Sequence, residues 1–211
     1  MKDLQKMSPV ELKSCSILAS VYALRMLGMF LILPIFAIYA TNLDSNPTSL
    51  QIGLALGIYG LTQAIFQIPF GMSSDYFGRK KVIYFGLLLF IIGSLIAGYS
   101  TSIEGIILGR SIQGSGAISA VLTALLADIT REEQRTKAMA IIGASIGLTF
   151  ALSLVLSPWL NDVIGVDGIF ILMAILSFTA FLLVYFFIKE PEIRKEKTKT
   201  SADEFFKILK D

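Results

Sequence analysis

Histidine is absent from this chain of 211 residues, and cysteine occurs once, at Cys15. The first absence removes the side chain most often used for proton transfer and metal ligation near neutral pH. The second rules out an intramolecular disulfide and any C-x-x-C motif. Charge is scarce too: Asp, Glu, Lys and Arg make up 16% of residues, against 55% hydrophobic. A soluble domain of this size needs more polar surface than that. The glycines of 109–116 lack the lysine that would make them a phosphate-binding loop. Catalysis is therefore not expected, and neither is a metal or other cofactor.

What the sequence has instead is long apolar runs, with a mean hydropathy of +0.73. They lie near 15–40, 50–74, 82–99, 103–127, 138–160 and 169–188. A bilayer core of roughly 30 Å takes about 20 helical residues to cross. The runs are continuous rather than alternating, which excludes a barrel and leaves helices. We therefore expect an all-α membrane protein: a cytoplasmic tail over 1–14, a six-helix transmembrane bundle over 15–188, and a cytoplasmic linker over 189–211. The first run is long, contains Arg25 and lacks a small-residue cleavage pattern, so it is expected to remain a span rather than be cleaved.

Lys and Arg fall in the tail before Cys15, at 79–81, at 131–137 and after Ile188. The connections 41–49, 100–102 and 161–168 carry none. Short cytoplasmic loops are rich in these residues, so both termini are expected in the cytoplasm. The basic clusters suit the anionic inner leaflet rather than nucleic acid. Two residues break the rule, Arg25 and Arg110, which lie inside apolar runs. A charge there is costly and commonly lines a polar pathway.

Local signals refine this outline. Pro34 should kink the first span. Thr101 with Glu104, and Thr130 with Glu133, are spaced as capping boxes for the fourth and fifth helices. Ser201 and Glu204 fit the start of a short amphipathic helix bearing Phe205, Phe206, Ile208 and Leu209. Spans one to three start inside and spans four to six start outside, the arrangement of an inverted repeat. Arg25/Gly28 and Arg110/Gly114 echo each other faintly between the two units.

The most specific segment runs from Gly71 to Lys81 and contains Asp75, Gly78, Arg79 and Lys80. Asp75 and Arg79 stand at i, i+4. A carboxylate at a helix C-terminus opposes the dipole, so Asp75 should seek a cation or another helix's N-terminus. A solvated pair in a basic loop is the plainer reading. Arg110 and Gln113 face one side of the fourth span, and Gly114 and Gly116 suit close packing. Tyr59, Gln63 and Gln67 form a polar stripe, lining a cavity or bonding between helices. Gly143 and Gly147, with Pro158, lie on the fifth span, where helix packing is at least as good a reading as a functional one.

These segments resemble the major facilitator superfamily. Gly71, Asp75, Gly78, Arg79 and Lys80 match its G-x-x-x-D-R-x-G-R-[RK] signature, with Tyr76 replacing the first arginine. Arg110-x-x-Gln113-Gly114 matches its fourth-helix motif. Gly28 and Pro34 resemble the L-G-x4-P pattern of its drug/proton antiporter branch, with five residues between them here in place of four, and the branch's fifth-helix glycine series is met only in part. The resemblance implies a cytoplasmic latch at Asp75 and Arg79 with Asp128 as charge partner, and a substrate or coupling pathway at Arg25, Arg110 and Gln113. It implies secondary active transport of a small molecule, with drug efflux and proton coupling as the branch's habit, by the N-terminal half of a two-half protein in a bacterial inner membrane. The expected partners are the lipid bilayer, the substrate, protons, and a C-terminal six-helix half or a second copy. A truncated scaffold or regulatory partner that does not transport remains an alternative, as does a half-size transporter acting as a parallel homodimer. No carboxylate lies deep in a span, so a proton carrier would sit elsewhere or involve Asp128 with Arg110.

Overall fold

The computed structural model describes residues 6–43 and 46–188. The linker over 189–211, with its expected helix at 201–209, lies outside the described residues. Helix α1 spans Pro9–Ile32 and begins six residues before the first apolar run. Ser8 and Glu11 close a reciprocal capping box there, and proline occupies the first turn, where its missing N–H costs nothing. The tail expected over 1–14 is thus partly helix, because a cap starts a helix and hydropathy does not. At Pro34 the helix is interrupted: residues 33–35 form a turn, and α2 resumes over Phe36–Thr41.

Helix α3, Ser49–Phe77, starts on a second capping box, Thr48 with Gln51. It runs through Pro69. One residue, Gly78, then separates it from α4, Arg79–Tyr99, at φ 97° and ψ 143°. That positive φ is open to glycine and strained for other residues. The connection is thus tighter than the gap of 75–81 left between the second and third expected spans.

The expected fourth span is broken. Helix α5, Ile103–Ser115, and α6, Ser119–Ile129, are separated by non-helical backbone at 116–118. Two capping expectations also fail. Ser102, not Thr101, caps α5 by accepting from the Gly105 N–H. Thr130 turns its hydroxyl back to the Leu126 carbonyl instead of capping anything forward. A 3-10 turn over Glu132–Gln134 leads into α7, Arg135–Phe187.

Helix α7 contains both the fifth and the sixth expected spans. The outer loop expected at 161–168 is replaced by helix with a single break at Gly165, φ 68° and ψ 174°. The 53 residues of α7 would stretch about 80 Å if straight. Contacts with α1 show that the chain reverses instead. Ser145, Ser153 and Ser157 place their hydroxyls 3.4, 3.4 and 2.5 Å from the carbonyls of Ala19, Leu27 and Leu31, so this arm runs with α1. In the second arm Met173 meets Gly28, and Phe187 lies under the Lys13 ammonium, so that arm runs against α1. Among the described residues, five helical stretches are long and apolar enough to cross a membrane, counting α5–α6 as one and α7 as one.

Two apolar clusters form the core, one around Leu18, Leu87, Leu125 and Ala180, the other around Leu31, Phe90, Ile106 and Phe170. Backbones come very close where α5 meets its neighbours. A Cβ on Gly114 would stand 2.0 Å from Thr62 Oγ1 and 2.2 Å from the Tyr59 carbonyl oxygen. Small residues are what permit such contact between helices in lipid.

Candidate functional site

At the α3–α4 joint the predicted charge cluster is assembled. Arg79 Nη1 lies 2.6 Å from Asp75 Oδ1, and its Nε donates to Asp128 Oδ2 at 3.0 Å. Nη1 also donates to Ser74 Oγ at 2.5 Å. Asp75 and Arg79 meet across Gly78, on two different helices, rather than along one. Lys80 donates to the Ile188 carbonyl at 2.7 Å and lies over the Tyr84 ring. Tyr76, which stands where the motif has arginine, is exposed. Gly71 leaves room for a Cβ, with Ala120 at an ordinary 3.8 Å, so close packing does not require glycine there.

A second ionic joint at this end escaped the sequence. Glu11, buried at the start of α1, accepts at Oε1 from both the backbone N–H and the Nε of Arg131, each at 3.0 Å. Its Oε2 accepts from Arg131 Nη2 and from the Ser8 N–H. The Arg131 guanidinium, then the Arg131 and Ser8 amides, hold the Glu11 carboxyl well below the usual carboxylate range. A depressed pKa contributes stability that is full above the unfolded value, 4.5, and is lost as pH falls through the folded value. Below about pH 4.5, melting temperature should therefore fall more steeply in the wild type than in Glu11→Gln. Parallel slopes between pH 6 and pH 3.5 would show that the clamp contributes nothing. Its partners are 120 residues apart, so no local pattern announces it.

Deeper in the bundle both buried arginines are held by backbone carbonyls. Arg110 donates from Nε to Ala55 O at 3.2 Å and from Nη2 to Leu56 O at 3.4 Å, and its guanidinium lies 5.1 Å from the Tyr59 ring centroid. Arg25 donates from Nη2 to Gly116 O at 2.8 Å and from Nη1 to Ser119 Oγ at 3.1 Å, with the Phe90 ring 5.5 Å away. Tyr59 and Phe90 meet edge to face at 6.3 Å. The result is a continuous row: Arg110, Tyr59, Phe90, Arg25. Among the described residues neither arginine has a carboxylate partner; Asp128 belongs to Arg79, so the contact weighed between Asp128 and Arg110 is not formed.

Arg25 explains how the broken fourth span survives. Gly116 O lies just beyond the C-terminus of α5, and a cation is favourable at that end of a helix. Ser119, which sequence reasoning passed over, is the hub. Its hydroxyl also accepts from Gln63 Nε2 at 3.4 Å, and its carbonyl accepts from the Tyr22 hydroxyl at 2.6 Å. Gln113 donates to Ser94 Oγ at 2.7 Å and is fully buried. Arg25 Nε, Arg110 Nη1, Tyr59 OH and Gln113 Oε1 are buried without a hydrogen-bond partner among the described residues. The polar stripe is thus split: Tyr59 is buried, whereas Gln63 and Gln67 are half-buried.

Among the described residues, Gly143 and Gly147 do not pack against another helix. No atom lies within 4 Å of the Cβ position at either, and the same is true of Gly53 and Gly57 on α3. Among the described residues, no neighbouring helix reaches those four positions. Pro158 is exposed and lies within continuous helix, beside the bond from Ser157 to Leu31.

Comparison with known proteins gives this geometry a context. The family described as Major Facilitator Superfamily matches residues 18–210. The chain is 53% identical over 178 residues to the inner membrane transport protein YajR of Escherichia coli K12, covering 84% of this chain and 39% of that protein. It is 29% identical over 178 residues to the class B tetracycline resistance protein of Escherichia coli, covering 83% and 44%. A solved bacterial homologue of the human lysosomal transporter Spinster, inward-facing and unoccupied, superposes with a TM-score of 0.75 at 17% identity, over 97% of this chain and 49% of that one. The chain spans less than half the length of each of these three proteins.

Proposed function

Because the chain belongs to the major facilitator superfamily, we propose that it forms the N-terminal half of a secondary active transporter, with no enzymatic activity of its own. The row from Arg110 to Arg25 carries this reading. Two guanidinium groups sit inside a membrane bundle, with no carboxylate partner and beside polar atoms with no hydrogen-bond partner among the described residues. Such an arrangement is costly unless a substrate, a coupling ion or water uses it. Arg25, Arg110 and Gln113 would face that traffic, with Tyr59, Gln63 and Gln67 along the adjoining wall.

The second half, or a second parallel copy, would cover the open glycine faces of α3 and α7. Six crossings follow when α7 is taken as two arms reversing at Gly165, and the basic ends then lie in the cytoplasm. Asp75, Arg79 and Asp128 would act there as a latch that biases one state of a rocking cycle. The relative named for tetracycline resistance suggests a drug-like compound, and the resemblance to the drug/proton antiporter branch adds export and proton coupling, at the level of family analogy. The relative named as an inner membrane protein suggests the same location.

Proteoliposomes test this reading, using fluorescent cationic substrates with and without a proton gradient. This segment followed by a second six-helix half should move substrate in a gradient-dependent way, and the 211-residue chain alone should move little. Robust movement by the chain alone would establish the homodimer instead. No movement by the two-half protein with any substrate or gradient would overturn the assignment.

A further inference from the structure

Lys81 stands apart from its neighbours. Arg79 is engaged by Asp75, Asp128 and Ser74, and Lys80 by Ile188 O and the Tyr84 ring. Lys81 is exposed and makes no ion pair or hydrogen bond among the described residues. It lies at one end of a groove of about 370 Å³ between α3 and α4, lined by Phe70, Ser73, Phe77, Lys81, Val82 and Phe85. Phe70 and Phe85 stack at 6.0 Å to form one wall. Phe77 and Phe85 are more than half exposed, so the groove opens along an apolar surface.

We propose that this groove binds an anionic phospholipid, with an acyl chain along Phe70, Val82 and Phe85 and the phosphate on Lys81. Three features select this occupant. The groove is a strip of hydrocarbon-like wall ending in one uncompensated cation, which is the polarity of a lipid. It lies at the end of two membrane-crossing helices, beside the basic 79–81 segment, where lysine ammonium groups meet headgroups. Ser73 adds a hydroxyl that can donate to a phosphate oxygen. A zwitterionic lipid would bring its own cation to Lys81 and lose the charge match. The proposal needs the chain to span a membrane and is independent of transport.

Native mass spectrometry of the detergent-solubilised chain, with equimolar phosphatidylglycerol and phosphatidylcholine of identical acyl chains, reads this directly. One phosphatidylglycerol should be retained in preference. Lys81→Gln should reduce the preference about fivefold, the effect of one basic residue near an anionic surface. Lys6→Gln, outside the groove, should not. Ser73→Trp, which fills the groove, and Phe85→Ala, which removes a wall, should each reduce retention of both lipids. Circular dichroism checks that the variants are folded, and Phe85→Ala keeps the wall testable if Ser73→Trp is not. An unchanged preference in Lys81→Gln, no retained lipid in the wild type, or displacement by soluble glycerol phosphate would each overturn the proposal. Unchanged retention in folded Phe85→Ala would do the same, as would loss of the adduct when the second half is present, which would assign the groove to a protein contact.

Discussion

Gly114→Leu is expected to lower the stability of the bundle by about 3 kcal/mol or more, because overpacking a tight contact commonly costs about 1–3 kcal/mol and here the obstacle is backbone. The new Cβ alone would stand 2.2 Å from the Tyr59 carbonyl oxygen, and a carbonyl cannot rotate out of the way as a side chain can. To make room, α5 must move off α3. That movement would pull Arg110 from the Ala55 and Leu56 carbonyls and leave a buried cation with fewer donors satisfied. Gly57→Leu is the control. It makes the same chemical change on α3, but nothing lies within 4 Å of that position. Its effect should stay within about 0.5 kcal/mol, as for other substitutions away from packed features. Thermal unfolding in detergent separates the two, and equal melting temperatures would show that the α3–α5 contact is not tight. In the two-half protein Gly57→Leu gains a further use, since a partner docked on that face would make it deleterious.

Asp75→Asn should leave insertion and folding nearly unchanged while reducing transport by the two-half protein roughly 5- to 150-fold, the span of ordinary coupling free energies. The asymmetry follows from exposure. Asp75 and Asp128 are 48% and 41% exposed, so each pair with Arg79 adds less than about 1 kcal/mol to the fold. A latch does not need to hold the fold together. It needs only to favour one arrangement of the halves over another, and an energy too small to matter for unfolding can dominate such a balance. Asn keeps the size and one acceptor, so any loss reports the charge. Initial uptake rate and expression level, measured together in proteoliposomes, check this. Transport at the wild-type rate would reject the latch assignment for Asp75.

Hydropathy located the helices because continuous apolar runs are a strong signal in a membrane chain. It could not locate their ends. Ser8 and Thr48 start α1 and α3 through side-chain bonds, and neither residue is apolar. Asp75, Arg79 and Asp128 were legible because two lie close in sequence and the third follows from the family's motif. Arg25 and Arg110 were legible as charges in apolar runs, but what they hold was not. Their acceptors are three backbone carbonyls and the Ser119 hydroxyl, all distant in sequence, and no local side-chain pattern encodes them. The break at 116–118 was hidden for a related reason. Gly114 and Gly116 read as packing residues, and the donors that satisfy the unwound backbone are the Ile118 N–H and the Arg25 guanidinium arriving from α1, both on the Gly116 carbonyl. Gly165 misled in the opposite direction. Polar residues around it suggested a loop, whereas one glycine at positive φ reverses the chain without one.

The hydroxyls of Ser145, Ser153 and Ser157 meet the carbonyls of Ala19, Leu27 and Leu31 with one constant offset in residue number. Spaced eight and then four residues apart, they fix a register between the two helices. A slip of a single residue, about 1.5 Å along the axis, would misalign all three together. Ser145 and Ser153 also give their protons to Ile142 and Thr149 of their own helix at 2.7 Å, so the Ser157 bond to Leu31 is the strongest of the three keys. A change in the angle between α1 and the first arm of α7 would have to break that bond, so the two helices are expected to move together.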